Sequence, residues 1–322
     1  MAAIFVYITH KNGTADDSAF ELAAAAKAID GAGAANAIVL GSAADVEKVA
    51  AQVAPFFAEV LTVANEALEY PNAEVRAKVL AALLPAKSVL LLAHDSFSMD
   101  MAPGLSVKLD TAFASDVVGF EGVEEDNLKL VRQEHGGAVS ARSALNLASG
   151  AIISVRAGSF KVGEAGGPGN IVDKSSEISD FSSKRRFVEV IAAEVGDIDI
   201  TKSEVLVAVG RGIEEEDNLS IVHDLAKAMG ADVACSRPVV DAKWLEKSRQ
   251  VGTSGQTVSP KVYLALGISG SFQHLGGIKG SPFIVAVNKN KTAPIFQVAD
   301  IGVVADILDF VPVLTEKVNA VK

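Results

Sequence analysis

The chain has 322 residues, 49% hydrophobic and 21% charged, the composition of a globular protein rather than a disordered tail. Lys+Arg 29 against Asp+Glu 40 leaves a net charge of −11, which repels phosphate backbones and makes nucleic acid a poor general partner. The single cysteine, Cys235, excludes a disulfide framework or a multi-cysteine zinc site and suits a reducing compartment.

Mean hydropathy is +0.31, yet the longest apolar runs (89–93, 205–209 and 283–287) are strand-sized, against the roughly 20 residues of a spanning helix. The N-terminus, Met1-Ala-Ala-Ile-Phe-Val-Tyr-Ile, lacks the basic start of a signal peptide and the Arg-rich pattern of a transit peptide. The expectation is a soluble protein of the bacterial cytoplasm, or a mature mitochondrial-matrix protein whose transit peptide has been removed. At roughly 150 residues per domain, the length predicts two domains.

Strand-like runs alternate with helical stretches, the α/β signature. In chain order the pattern predicts a strand at 4–9, an Ala-rich helix at 18–30 stopped by Gly31 and Gly33, and a strand at 36–40. A helix at 44–53, a strand at 60–63, a helix at 72–84 halted by Pro85 and a strand at 88–93 follow. A further helix is expected over 99–111, with Pro103 near its first turn. From 115 to 160, alternating segments at 128–132, 138–142 and 151–156 suggest an antiparallel excursion. Residues 163–170 form a Gly-rich loop, and 178–194 are expected to supply a last strand and the start of a linker. A second series has strands at 205–209, 233–234, 262–266, 283–287 and 302–304, with helices at 217–229, 270–277 and from 305 through 311–318. The expected architecture is therefore α/β in two domains. Residues 1–192 form a nucleotide-binding-like domain with antiparallel additions, 193–203 a linker with a hinge at 196–199, and 204–322 a parallel-sheet domain.

Almost every strand of the second series ends in a turn of small or cationic residues. These are Gly210-Arg211-Gly212, Ser236-Arg237-Pro238, Gly252-Thr253-Ser254-Gly255, Gly267-Ile-Ser-Gly270-Ser271 and Asn288-Lys289-Asn290. In open parallel sheets ligands bind beyond the carboxyl ends of strands, where small residues let backbone N–H groups approach a phosphate. One such loop is usually only a turn; five, two of them bearing Arg, point to a nucleotide cofactor. The Gly267–His274 loop follows a strand and opens a helix but lacks the G-x-G-x-x-G spacing, and Asn288 stands near where a ribose-binding acid would be.

The remaining candidates have plain structural readings. His274 read alone is a surface or capping histidine, and His10, His94, His135 and His223 lack partners at metal or triad spacing. His94-Asp95 after a strand reads as an Asp or Ser N-cap for the following helix, Cys235 as a small buried residue, and the run Glu214–Asp217 as a solvated face that complements a helix dipole.

The stretch Pro260-Lys-Val-Tyr-Leu-Ala-Leu-Gly-Ile-Ser-Gly-Ser-Phe-Gln-His-Leu, with Ile284-Val-Ala-Val-Asn-Lys and the run from Ala293 to Ile307, resembles the FAD-binding domain of the electron transfer flavoprotein α-subunit, or FixB, family. Ala102-Pro-Gly-Leu105 and Arg156-Ala-Gly-Ser-Phe160 extend the resemblance, more loosely, to the N-terminal domain. The resemblance implies an electron carrier, not an enzyme with its own substrate turnover. It implies a heterodimer whose β-subunit docks on the N-terminal domain and in most members binds AMP. Donors would be soluble flavin dehydrogenases of the acyl-CoA or amine type, and the acceptor a quinone oxidoreductase at the membrane.

Residue by residue, the resemblance implies that Arg211 and Gly267, Ser269, Gly270, Ser271, Phe272, Gln273 and His274 meet the diphosphate and ribityl portions of FAD. Ser236 and Arg237 would lie near the isoalloxazine, and Gln250, Val251, Gly252, Thr253 and Ser254 along it. Asn288 would face the adenosine half and Asp306 and Ile307 the adenine. His274 would reach the pyrimidine end of the ring. Where the family commonly has Gly-Gln-Thr-Gly, this chain has Gly252-Thr-Ser-Gly255, so Ser254 must supply the hydroxyl beside flavin N5. A cation such as Arg237 or a protonated His274 would stabilise the reduced, anionic flavin. No metal site is expected. The alternatives left open are an NAD(P)-linked dehydrogenase and a non-redox nucleotide-binding subunit.

Overall fold

The computed structural model describes residues 3–31, 35–135, 139–167, 169–190, 198–280 and 282–321. They divide into two compact units, Met1–Glu189 and Val190–Lys322. Of the expected linker and its hinge, residues 193–197 lie outside the described residues.

The first unit is built in chain order from β1 (Ile4–Ile8), a small ribbon of β2 (His10–Lys11) and β3 (Thr14–Ala15), α1 (Ser18–Asp30), β4 (Asn36–Gly41), α2 (Ala43–Val53), β5 (Glu59–Ala64), α3 (Ala73–Leu83), β6 (Val89–Ala93) and α4 (Ser96–Leu109). Then come β7 (Ala112–Glu124), β8 (Asn127–Glu134), β9 (Val139–Asn146), β10 (Ala151–Val155) and β11 (Asn170–Asp173). One sheet runs β11-β5-β4-β1-β6-β10-β7-β8-β9; it is parallel as far as β7 and antiparallel from β7 to β9. Alternation along β1 sends Ile4, Val6 and Ile8 to the α1–α2 side and Phe5 and Tyr7 to the α3–α4 side. The sheet is thus covered on both faces, as parallel sheets require.

Four sequence expectations need correction here. Residues 151–156 do not belong to the antiparallel excursion: β10 lies buried between β6 and β7, parallel to both. Its apparent alternation came from Ser154, which is buried because its Oγ accepts the Asp116 N–H at 3.0 Å and bonds His94 Nδ1 at 2.9 Å. The helix expected from 99 begins at Ser96, because Asp95 Oδ1 accepts the Ser98 N–H at 2.7 Å, so Pro103 lies in its interior rather than its first turn. Residues 178–190 form no strand, and the last strand of the sheet is β11. Their polar groups instead pair with α3 and α4: Lys78 with Asp180 and Ser182, Glu74 with Ser183 and the Lys184 N–H, and Arg185 with Asp100. Asn170, counted with the Gly-rich loop, opens β11.

The second unit contains β12 (Val205–Val209), α5 (Leu219–Met229), β13 (Asp232–Cys235), α6 (Arg237–Asp241), β14 (Val262–Leu266), α7 (Phe272–Leu275), β15 (Phe283–Val287), β16 (Ile301–Val303) and α8 (Ile307–Val321). Its five strands are all parallel, in the order β13-β12-β14-β15-β16. One face packs Val207, Val209, Leu264 and Leu266 under Val222 and Leu225 of α5 and Val311 of α8. On the other face Leu206, Ala208, Tyr263, Ala265 and Ala286 are covered by loop residues such as Val251, Val258, Ile268 and Ile295. The expected helix over 270–277 contracts to the single turn of α7, because Gly270 is left-handed (φ +81°) and two further glycines, Gly276 and Gly277, follow it. Among the described residues no helix is long and apolar enough to cross a membrane.

Candidate functional site

The winding of the sheet changes side at β12: β13, the next strand in the chain, lies on one side of it and β14 on the other, all in the same direction. Crevices at such switch points are where open α/β sheets hold ligands. The loops here meet closely. A Cβ on Gly210 would collide with the Gly267 carbonyl, and one on Gly267 (φ +61°) would come within 2.7 Å of Gly212 Cα. Only glycines allow the β12 and β14 loops to lie backbone against backbone. Above them opens a cleft of about 830 Å³, within the range of cofactor sites.

Every site residue expected from the sequence lines this cleft except Gly270 and Phe272. A Cβ on Gly270 would meet the Ile295 backbone nitrogen, so this glycine packs the β14 loop against the turn 294–297. Phe272 is 62% exposed and lies off the cleft wall. The sequence reading missed Glu214, Lys289, Asp241 and Pro294, which also line it. Lys289 stood in a strand-end turn already singled out. Glu214 was assigned to a solvated face, but it pairs with Lys289, which also lies 3.6 Å from Asp306.

Cations are unequally committed. Arg211 has no ion pair or hydrogen bond from its side chain among the described residues. Arg237 Nε lies 3.3 Å from Asp241 Oδ2 one helical turn on, both side chains well exposed. Gln250 Nε2 donates to Ser254 Oγ at 3.0 Å, which occupies an acceptor position and leaves the Ser254 hydroxyl hydrogen to point elsewhere. Asn288 donates from Nδ2 to the Ile268 carbonyl at 2.9 Å, and its Oδ1 accepts the Asn290 N–H, so it frames the β14 and β15 loops. Asp306 Oδ1 accepts the Leu308 N–H at the start of α8.

His274 corrects two expectations. It is neither a surface nor a capping residue but 5% exposed, its Nε2 2.9 Å from the Tyr263 hydroxyl. Its Nδ1 is buried without a hydrogen-bond partner. Burial, opposed by the Val251 backbone, lowers its pKa to about 4, so the ring is neutral at pH 7 and supplies no imidazolium. Cys235 is buried and its thiol is pushed up to about 12 by desolvation, the profile of an inert core cysteine.

In the first unit Ser154 and His94, at the carboxyl ends of β10 and β6, stand together with Asp116 within β7. They are not a nucleophilic triad. Ser154 is fully buried, and the Asp116 carboxylate is held by Arg156 in two bonds of 2.8 and 2.6 Å rather than by His94. The Arg156 hydrogen bond keeps that carboxyl below its ordinary range. This cluster braces the irregular register between β7 and β10, where Asp116 takes φ +59°. Among the described residues no group of three or more His, Cys, Asp or Glu is placed to hold a metal.

Fold and cleft together define a two-unit α/β protein with a ligand crevice in its second parallel sheet. The family profile described as "Electron transfer flavoprotein domain" matches residues 4–183, and that described as "Electron transfer flavoprotein FAD-binding domain" matches 199–279. Similar proteins include the electron transfer flavoprotein subunit alpha of Methylophilus methylotrophus, 36% identical over 96% of this chain and 97% of the relative. That of Pseudomonas aeruginosa is 36% identical over 98% of this chain and 100% of its own. A probable mitochondrial subunit alpha of Cryptococcus neoformans var. grubii is 32% identical over 100% of this chain and 93% of the relative. The chain belongs to the electron transfer flavoprotein α-subunit family, and FAD is the cofactor of its second unit's domain type.

Proposed function

We propose that this chain is the FAD-carrying subunit of a heterodimeric electron carrier, loaded by soluble flavin dehydrogenases and unloaded by a separate acceptor. The observation that carries the proposal is the chemistry of the cleft wall. It offers a side-chain-unpaired arginine, a row of hydroxyls and a buried imidazole nitrogen without a partner, yet no activated nucleophile beside a base. Covalent and hydrolytic catalysis relies on such a pair; a cofactor holder does not.

The residues present fit FAD, which when bound supplies the one- and two-electron chemistry. Arg211 and the backbone N–H groups of the Gly267–Ser271 loop would hold the diphosphate, supported by the Ser269 and Ser271 hydroxyls. Ser236, Arg237, Gln250 and the 251–254 turn would line the isoalloxazine, with the Ser254 O–H directed to N5. Gln273 and His274 would serve the ribityl and pyrimidine side. Asp306 and Ile307 would take the adenine, beside the frame held by Asn288. Arg237 is then the cation that favours the more negative, reduced flavin.

The partner is the β-subunit, which would carry AMP, and the donors would be dehydrogenases of the acyl-CoA or amine type. The acceptor would be a quinone oxidoreductase. An electron-relay assay tests the reading: the purified assembly, in catalytic amounts, should connect a reduced flavin dehydrogenase to an external acceptor. Turnover of a hydroxy acid with free NAD(P) would instead make it a dehydrogenase, and a colourless, redox-silent assembly a nucleotide-binding subunit.

A further inference from the structure

Tyr263 lies in the middle of β14, fully buried. Among the described residues the only hydrogen-bond partner of its hydroxyl is His274 Nε2, at 2.9 Å, with the two rings tilted at 58°. The same imidazole lines the cleft, and its Nδ1 is buried and unpartnered. The proton in the Tyr263–His274 bond can sit on either atom, and counting donors decides between the two. If Nε2–H donated to the phenol oxygen, the phenol proton would have no acceptor and Nδ1 would be a bare buried lone pair, leaving two groups unsatisfied. If the phenol O–H donates to Nε2, only the Nδ1–H is left over. Orphaned buried donors are rare because each costs the desolvation of a polar group, so the second arrangement wins.

We propose that Tyr263 is a positioning residue: its O–H donates to His274 Nε2 and fixes the neutral ring beside the cleft in the tautomer that carries its proton on the buried Nδ1. Burial keeps both partners in the needed state, holding the phenol proton on well above its ordinary range and lowering the imidazole. The Val251 backbone favours a proton on the ring, and the tautomer sets which way the ring's dipole points beside the cleft; the effect on the isoalloxazine rests on FAD occupying the cleft. His274 then contributes an oriented dipole, and charge stabilisation is left to Arg237.

The test is ¹⁵N NMR of the full chain labelled at histidine, without and with FAD, with His274 signals assigned by their loss in His274→Gln. At pH 7 the expected result is a protonated Nδ1 and a bare Nε2, with FAD moving the Nδ1 resonance. Tyr263→Phe should shift the tautomer ratio toward Nε2–H at least tenfold. A wild-type ring protonated on Nε2, an imidazolium at pH 7, or a smaller change in the variant overturns the proposal. Should Tyr263→Phe fail to fold, the wild-type tautomer alone decides. Failure to take up FAD counts against the functional reading and leaves the tautomer result standing.

Discussion

Arg237 is 69% exposed in its side chain and faces Asp241 at 3.3 Å, so its field at the cleft is partly neutralised and screened by water. Replacing it with Ala should lower the flavin's first reduction potential by a few tens of mV, against about 59 mV per tenfold change for one electron. FAD should stay bound, because the other cleft contacts remain. Asp241→Asn should move the potential the opposite way, since it frees the same cation from its counter-charge. A redox titration of both variants checks the pair of signs; equal shifts in one direction would assign Arg237 a structural role.

His274 makes a separate prediction about pH. Its pKa is lowered from 6.5 to about 4, so between those values the unfolded chain binds more protons than the folded one, and stability falls as pH falls. The contribution is fully present above pH 6.5 and amounts to about 3 kcal/mol when lost, taking 1.36 kcal/mol per pKa unit. In cofactor-stripped protein, chemical denaturation from pH 7 to pH 4 should show this loss in wild type and not in His274→Gln. Parallel stability curves for the two would contradict the buried, neutral ring.

Elements that span one local pattern were legible in the sequence. The helix at 18–30 and the strands at 205–209 and 283–287 match α1, β12 and β15 residue for residue, because periodicity and flanking glycines or turns agree there. Reading failed where distant contacts decide. The Ser154 hydroxyl looks like a solvent-facing position until the Asp116 N–H and His94 are seen to satisfy it. Residues 178–190 are held by Lys78, Glu74 and Asp100, none of them near in sequence. Among cleft residues, the strand-end turns were visible because small residues cluster there. The buried depth of His274 and the turn of Glu214 toward Lys289 depend on how those loops pack.

The loop packing itself is testable with two glycines. Gly210→Ala puts a methyl into the Gly267 backbone, so the β12 and β14 loops must part, at a cost of about 1–3 kcal/mol as in other overpacked sites. FAD affinity should fall at least tenfold while the sheet stays folded by circular dichroism. Gly104 sits inside α4 with open space around its Cβ. Gly104→Ala should therefore stabilise by about 0.4–1 kcal/mol without touching FAD. If both variants behave alike in denaturation and binding, close loop contact is not what shapes the cleft.

At the scale of the whole molecule, two sheets with separate cores each leave large apolar side chains exposed. Several large apolar side chains of the first unit are open, among them Phe97, Val107, Phe187 and Val188, with Val107 at 82% exposure. Exposed apolar surface of this kind promotes association unless something covers it. The chain purified without a β-subunit should therefore self-associate, and co-expression with one should yield a defined 1:1 assembly on gel filtration with light scattering. A monodisperse, FAD-loaded monomer at high concentration would remove the case for an obligate partner.

The central claim, that the cleft over β12 and β14 is the FAD site, is tested most directly by counting protein-bound flavin. The purified assembly is denatured, the released nucleotide is identified by chromatography and quantified against chain concentration, for wild type and for Gly210→Ala. The account predicts one FAD for each copy of this chain in wild type and a large loss in the variant, with the flavin absorbance disappearing in proportion. Released NAD(P), no flavin at all, or a flavin content that Gly210→Ala leaves unchanged would contradict it.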